Sequence, residues 1–201
     1  MPYYYYTQEP ASAHKERSIT ARALGLTLTF ETDAGVFSKN ELDPGSRLLI
    51  ESMGALSGRV LDLGCGWGPV GTALGRKYPD AQILLSDVNE RAVELAGRNL
   101  RSNGVTNAAV VRGDGYEAVE GRFDAIVLNP PIRAGKGVIY ALFEGARAHL
   151  TDGGALYIVI RKQQGAESAE KYLRTLYGSV ERICREKGYW VLRCAEVNHA
   201  N

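Results

Sequence analysis

Residues 124–132 read Asp-Ala-Ile-Val-Leu-Asn-Pro-Pro-Ile, and the end of this run carries groups that can do chemistry. Residues 125–128 are apolar and partly β-branched, as in a buried parallel strand. Pro130 and Pro131 cannot donate to a sheet ladder, so the strand must stop at Asn129. Pro130 also holds Asn129 in an extended conformation. The expected result is a rigid corner at the carboxyl end of a strand, the edge where open α/β sheets bind ligands. It offers an amide oxygen and a neighbouring carbonyl, two acceptors suited to an NH₂ group. Asn-Pro also ends strands in ordinary turns with no chemistry, so the corner needs support from elsewhere in the chain.

Residues 59–71, RVLDLGCGWGPVG, supply it. Val60, Leu61 and Leu63 form a short apolar strand. Gly64, Gly66 and Gly68 follow, then Val70, Ala73 and Leu74 at helical spacing. Strand, Gly-rich turn and helix make the nucleotide-binding form of a βα unit, in which a ligand lies against bare backbone. The third glycine comes one residue too early for the dinucleotide fingerprint, and Pro69 fits the first turn of a helix. Residues 81–85 form the next strand and end at Ser86-Asp87, where an acid about twenty residues past the glycines reads a ribose diol. A simple helix-capping acid is the other reading of Asp87. Asn89 caps a helix with the apolar face Ala92, Val93, Leu95, Ala96 and Leu100.

With these segments in view, the chain resembles the class I S-adenosylmethionine-dependent methyltransferases of the methyltransferase small domain group. DLGCGWG, Asp87 and NPPI carry the likeness, with GVFSKNELDPGSRLLIESM (35–53), VNERAVELAGRN (88–99) and NPPIRAGK (129–136). Within the group it is most similar to enzymes that methylate the guanine 2-amino group in small-subunit ribosomal RNA. The resemblance runs from about Gly25 to the end of the chain. It implies S-adenosylmethionine as cofactor, over Gly64, Cys65, Gly66 and Gly68, with Asp62, Val88, Gly115 and Asn129 among its contacts. The ribose would sit on Asp87 and the adenine near Asp114, with Phe37 and Ser38 closing the pocket. Asn129, Pro130 and Pro131 would form the catalytic corner, and Ile132, Arg133, Lys136 and Lys162 would meet the substrate. Relatives acting on adenine or glutamine amides often carry an aromatic residue after NPP. Here Ile132 and Arg133 stand there, so aliphatic packing and a guanidinium would have to hold the base. Methylation of a protein glutamine amide or a small amine, and a noncatalytic cofactor- or RNA-binding module, are the alternative readings.

The elements needed to position these residues are legible along the chain. Leu26, Leu28 and Phe30 alternate with polar residues as a half-buried strand, and Asp33-Ala34-Gly35 turns the chain. Asp43-Pro44 starts a helix through Leu48, Leu49, Ile50 and Met53. Residues 108–112 are a strand ending at Gly113-Asp114. Residues 138–150 are a helix closed by Asp152-Gly153-Gly154, and 155–160 are a further strand. Residues 168–177 are helical, and strands 180–185 and 189–195 are joined at Lys187-Gly188. The expected fold class is α/β: a doubly wound, mostly parallel seven-stranded sheet with a terminal antiparallel strand. Residues 1–22 would be an N-terminal arm and 23–201 the methyltransferase domain.

Composition bounds the setting. The 201 residues are 45% hydrophobic and 23% charged, an ordinary globular balance. No apolar run approaches membrane-spanning length and no signal peptide opens the chain, so no membrane is expected and the cytoplasm is the expected location. Cys65, Cys184 and Cys194 lack metal-ligand spacing, and His14, His149 and His199 are scattered, so no metal is expected. Cys65 reads as a small packing residue. A net charge of +1 is low for an RNA enzyme, so a patch for ribosomal RNA or a small-subunit particle must be local. Its candidates are His14, Lys15, Arg17 and Arg22; Lys39 and Arg47; Arg133 and Lys136; and Arg161 and Lys162. Tyr3, Tyr4, Tyr5 and Tyr6 could pack on the domain or stack on bases. Oligomeric state is left open.

Overall fold

A computed structural model describes residues 15–36, 38 and 40–197. Phe37, Lys39, His14, His199 and the four tyrosines lie outside the described residues. Seven strands form one sheet in the order β5-β4-β3-β6-β7-β9-β8. These are β3 (Gly58–Leu63), β4 (Ala81–Asp87), β5 (Ala108–Arg112), β6 (Phe123–Leu128), β7 (Leu150–Arg161), β8 (Tyr177–Glu186) and β9 (Tyr189–Val197). β5, β4, β3, β6 and β7 are parallel neighbours, and the chain-terminal strand β9 runs antiparallel to both β7 and β8. This is the doubly wound sheet expected from the alternation of strands and helices.

Strand residues alternate between two cores. Val60, Ala125 and Val127 enter one, and Leu61, Leu63, Ile126 and Leu128 enter the other. Helices α1 (Pro44–Ser52), α2 (Pro69–Lys77) and α3 (Glu90–Ser102) cover the first face. Helices α4 (Lys136–Ala146) and α5 (Ala166–Leu176) cover the second. Both faces of β3 and β6 are thus buried, which is why these strands read as apolar runs. The chain builds outward from β3 through β4 to β5, then crosses back to β6. β3 and β6 therefore flank the switch point of the sheet, where ligands bind. The Gly-rich turn follows β3 and the Asn-Pro-Pro corner follows β6.

Some element bounds differ from expectation. Residues 17–23, assigned largely to an arm, form β1 (Arg17–Ala23), paired antiparallel with β2 (Leu26–Thr32). The expected boundary at residue 22 falls inside this strand. Its two-residue turn has Leu24 and Gly25 both at positive φ (54° and 76°), the geometry of a primed hairpin turn without the usual Asn-Gly signal. Asn99 fixes the hairpin to the domain: its amide exchanges hydrogen bonds with the Glu31 backbone and donates to the Trp67 carbonyl. The helix expected over 138–150 spans Lys136–Ala146, followed by a 3₁₀ turn at Arg147–His149. Asp152-Gly153-Gly154 is no helix stop but part of β7. There the register slips from Phe123↔Leu150 to Ala125↔Ala155, and the extra residues bulge with Gly153 at φ 84°. α5 starts at Ala166, two residues before the expected 168, and β8 follows it directly at Tyr177.

Candidate functional site

The turn after β3 is held by its neighbour strand. The Gly64 and Cys65 amides both donate to the Ser86 carbonyl, at 2.8 and 3.0 Å. Gly64 and Gly66 have φ of 68° and 56°, and a Cβ on either would point into open space. The turn therefore presents bare backbone, in a conformation that favours glycine. Gly68 is different. A Cβ there would sit 2.9 Å from Ala96 Cβ, so this glycine lets α2 close on α3 and does not line the cavity.

Two carboxylates are fixed by backbone amides, Asp87 from the Gly-rich turn and the start of α3, and Asp62 from the first turns of α2. Asp87 accepts from Gly66 N at 2.7 Å with one oxygen and from Asn89 N at 2.9 Å with the other. Burial nevertheless holds its pKa above the ordinary carboxylate value. Asp62, 4% exposed, accepts from Gly71 N at 2.8 Å. Burial outweighs that bond and, with the Asp87 charge adding to it, lifts Asp62 from 3.8 to about 7. Burial, then Asp87 and Asp62, push the Cys65 thiol well up. Cys65 therefore stays protonated, as a packing residue and not a nucleophile.

At the other corner, the Asn129 side chain is oriented by α1. Its Nδ2 donates to Asp43 Oδ2 at 3.1 Å and to Ser46 Oγ at 3.0 Å. A carboxylate only accepts, so the NH₂ must face Asp43 and Oδ1 must point the other way. Asp43 Oδ2 also caps α1 by accepting from Ser46 N at 2.8 Å. Gly45, between them, permits the close approach: a Cβ there would lie 2.8 Å from the Tyr189 ring and 2.9 Å from Asp43 Oδ2. Arg161 covers the same Tyr189 ring, with its guanidinium carbon 4.7 Å from the centroid.

Both corners open into one cavity of about 330 Å³, within the usual range for ligand sites. Asp62, Gly64, Cys65, Gly66, Asp87, Val88, Asp114, Gly115 and Asn129 all line it, as do Ser38, Pro130 and Pro131. Ile132 sits in a 3₁₀ turn, partly buried against the second core. Arg133, Lys136 and Lys162 are exposed and outside the cavity; Lys136 lies over the Tyr140 ring and Lys162 is 3.7 Å from Glu167. Sequence reasoning missed Asp43, Ser46, Val138 and Leu142 as lining residues. In the sequence Asp43 reads only as a helix start, and nothing local links it to Asn129.

Four acids line the cavity, Asp43, Asp62, Asp87 and Asp114, and no Lys, Arg or His does among the described residues. Such a lining repels nucleotide phosphates and suits a cation. S-adenosylmethionine, with its sulfonium and ammonium, fits this donor set, and Asp87 and Asp114 can accept from its ribose and adenine. No group of His, Cys, Asp and Glu side chains among the described residues could hold a metal ion.

Known proteins agree with the geometry. Residues 27–193 match the methyltransferase small domain family. The chain therefore belongs to that family and has the class I methyltransferase fold. The chain is 42% identical over 201 residues to "Uncharacterized protein YbxB" of Bacillus subtilis, covering 98% of this chain and 100% of the relative. It is 43% identical over 130 residues to the ribosomal RNA small subunit methyltransferase C of Stutzerimonas stutzeri, covering 62% of this chain and 39% of that protein. Among solved structures, the Thermus thermophilus 16S rRNA N2 G1207 methyltransferase RsmC, in complex with AdoMet and guanosine, superposes with TM-score 0.81 at 29% identity. That match covers 93% of this chain and 52% of the other. The chain thus spans about half or less of the ribosomal RNA methyltransferases it matches.

Proposed function

We propose that this chain transfers a methyl group from S-adenosylmethionine to the exocyclic 2-amino nitrogen of a guanine in small-subunit ribosomal RNA, and acts in the cytoplasm. The observation that carries this reading is the Asn129 amide, whose NH₂ is bound by Asp43 and Ser46 so that Oδ1 is left for a substrate donor in the cavity that Pro130 also lines. An exocyclic amine is a weak nucleophile because its lone pair is delocalised into the ring. Asn129 Oδ1 and the Pro130 carbonyl each accept one N–H and draw the nitrogen toward a tetrahedral shape with a localised lone pair. This is positioning with electrostatic stabilisation, and both acceptors are fixed before the substrate arrives. S-adenosylmethionine, when bound, supplies an electrophilic methyl on a sulfonium. With that donor bound, the amine held by Asn129 and Pro130 would take the methyl as the C–S pair returned to sulfur, and the methylated amine would release its extra proton to water. No strong base is required, in keeping with a cavity that holds no histidine among the described residues.

Guanine in ribosomal RNA is favoured by this chain's similarity to small subunit methyltransferase C, 43% identical over 130 residues, and to the structure of RsmC. A base in a helix must be flipped, or already single-stranded, to enter the cavity. Arg133, Lys136, Arg161 and Lys162 lie outside it, where they can meet phosphates of the flanking strand. The test is nucleoside mass mapping of small-subunit RNA from cells lacking the protein, then methylation of that RNA by purified protein. One N2-methylguanosine should be missing from the cells and restored by the wild type. Asn129→Ala should restore it about 10²-fold or more slowly with cofactor affinity intact, as for a lost transition-state hydrogen bond. Labelled methyl groups appearing on protein or a small amine, with ribosomal guanines unchanged, would move the glutamine-amide reading ahead.

A further inference from the structure

Asp43 does more at the Asn129 corner than hold an amide. Its carboxylate lines the cavity, and both of its contacts use one oxygen: Oδ2 accepts from Ser46 N and from Asn129 Nδ2. Oδ1 has no hydrogen-bond partner among the described residues. A carboxylate oxygen with no donor, on a residue that lines the cavity and holds Asn129, is a candidate recognition element.

The edge of the base that presents a 2-amino group decides what Oδ1 would meet. In guanine, N1 adjoins C2 and carries a hydrogen. If Asn129 Oδ1 and the Pro130 carbonyl take the two N2 hydrogens, the next donor along the edge is N1–H. The next acceptor along the protein is Asp43, one hydrogen bond away from Asn129. In adenine, the ring nitrogen beside the exocyclic amine is an acceptor. Against Asp43 it would place lone pair on lone pair and leave the carboxylate without a donor. We infer that Asp43 is the residue that selects guanine, by accepting N1–H with Oδ1 while Oδ2 holds Asn129 in its reacting orientation. This deepens, and rests on, the assignment of the guanine 2-amino group as the site of methylation. It also accounts for the aliphatic Ile132 after the Pro-Pro pair: selectivity would come from hydrogen bonds on the base edge and not from an aromatic stack.

2-Aminopurine separates the two claims, because it keeps the 2-amino group but has an acceptor at N1 and no O6. Small-subunit RNA is first methylated by wild-type protein and the modified guanine mapped. Ligated RNAs are then prepared with guanine or 2-aminopurine at that position. The wild type should use the 2-aminopurine RNA at least about 100-fold less efficiently in kcat/KM, the scale set when a built-in hydrogen-bond site goes unpaired. Asp43→Asn should bring that ratio below about 10, chiefly by losing activity on guanine. The amide oxygen introduced by this substitution can still cap α1 and hold Asn129, while the new NH₂ can donate to the N1 of 2-aminopurine. Taking the ratio cancels any change in cofactor affinity. Ser46→Ala is the second variant: it loosens Asn129 without touching the base edge, so it should slow both RNAs and leave the ratio alone. Wild-type protein that methylates guanine and 2-aminopurine equally, or a ratio unmoved by Asp43→Asn, overturns the role of Asp43 while the proposed function stands. A wild type that forms no N2-methylguanosine on any RNA overturns both.

Discussion

Asp62 should make this protein lose stability as pH rises toward neutrality, and Asp62→Asn should abolish that loss. Its carboxyl is 4% exposed and receives one backbone hydrogen bond, from Gly71. Burial raises it from 3.8 to about 7. Between those values the folded chain keeps the Asp62 proton while the unfolded chain has released it. The folded state therefore binds more protons, and unfolding free energy falls with rising pH. Each pH unit in this window is worth about 1.4 kcal/mol, so the loss approaches ~4 kcal/mol once pH exceeds 7 and is absent below about 4. An asparagine accepts the Gly71 bond without ionising. Urea unfolding at pH 5 and pH 8, without ligand, should show Asp62→Asn gaining about 3 kcal/mol on the wild type across that interval. Asp87, also raised by burial, titrates in both proteins and largely cancels in the difference. A wild-type-to-variant gap that is the same at both pH values would mean that Asp62 is ionised or solvated in the folded chain, and would refute the reasoning.

Three further outcomes follow from the same geometry. Asp87→Ala should weaken S-adenosylmethionine binding by about 1–3 kcal/mol, read by calorimetry, because a buried donor on the ligand is left unpaired; unchanged affinity would remove Asp87 as the ribose ligand. Gly71→Ala should destabilise the fold by about 1–3 kcal/mol in denaturant unfolding, since the new methyl would lie 2.5 Å from Leu85 Cγ in a packed core; a neutral variant would mean that α2 can shift away from β4. Lys136→Ala combined with Lys162→Ala should weaken RNA binding and flatten its salt dependence by roughly one logarithmic unit per lost phosphate contact, with S-adenosylmethionine binding unaffected; parallel salt slopes for variant and parent would show these lysines to be solvated surface.

The parts of the site legible in the sequence are those whose cause is local. Gly64-Cys65-Gly66 reads as a cradle because strand, turn and helix adjoin in the chain, and Asn129 reads as a corner because two prolines end β6 beside it. Asp87 sits at the expected strand end, and its carboxylate bonds Gly66, 21 residues away. Elements were missed where backbone geometry departs from residue preference. Leu24 takes a positive φ that leucine disfavours, hiding the hairpin at β1 and β2. Gly153-Gly154 looks like a loop yet bulges inside β7. Asp43 was legible as a helix cap and illegible as a site residue, because Asn129 lies 86 positions further on and the two meet only when α1 packs at the carboxyl end of β6.

Net charge is uninformative about the site for a related reason: it sums over what the fold separates. A value of +1 requires any patch for a polyanion to be local. In the structure, four carboxylates are drawn into one cavity, while Arg133, Lys136, Arg161 and Lys162 stay exposed outside it. The division suits a reaction between a cationic methyl donor and a polyanionic acceptor. On the proposed function, acids at short range would favour the donor and oppose phosphate, and the cations outside the cavity would meet the strand whose base alone enters. Asp43 stands at the boundary between the two zones. Its carboxylate would oppose a phosphate, tolerates the cation beside it, and offers Oδ1 to a base that presents a donor. The same charge that orients Asn129 thus also limits which part of the substrate can reach it.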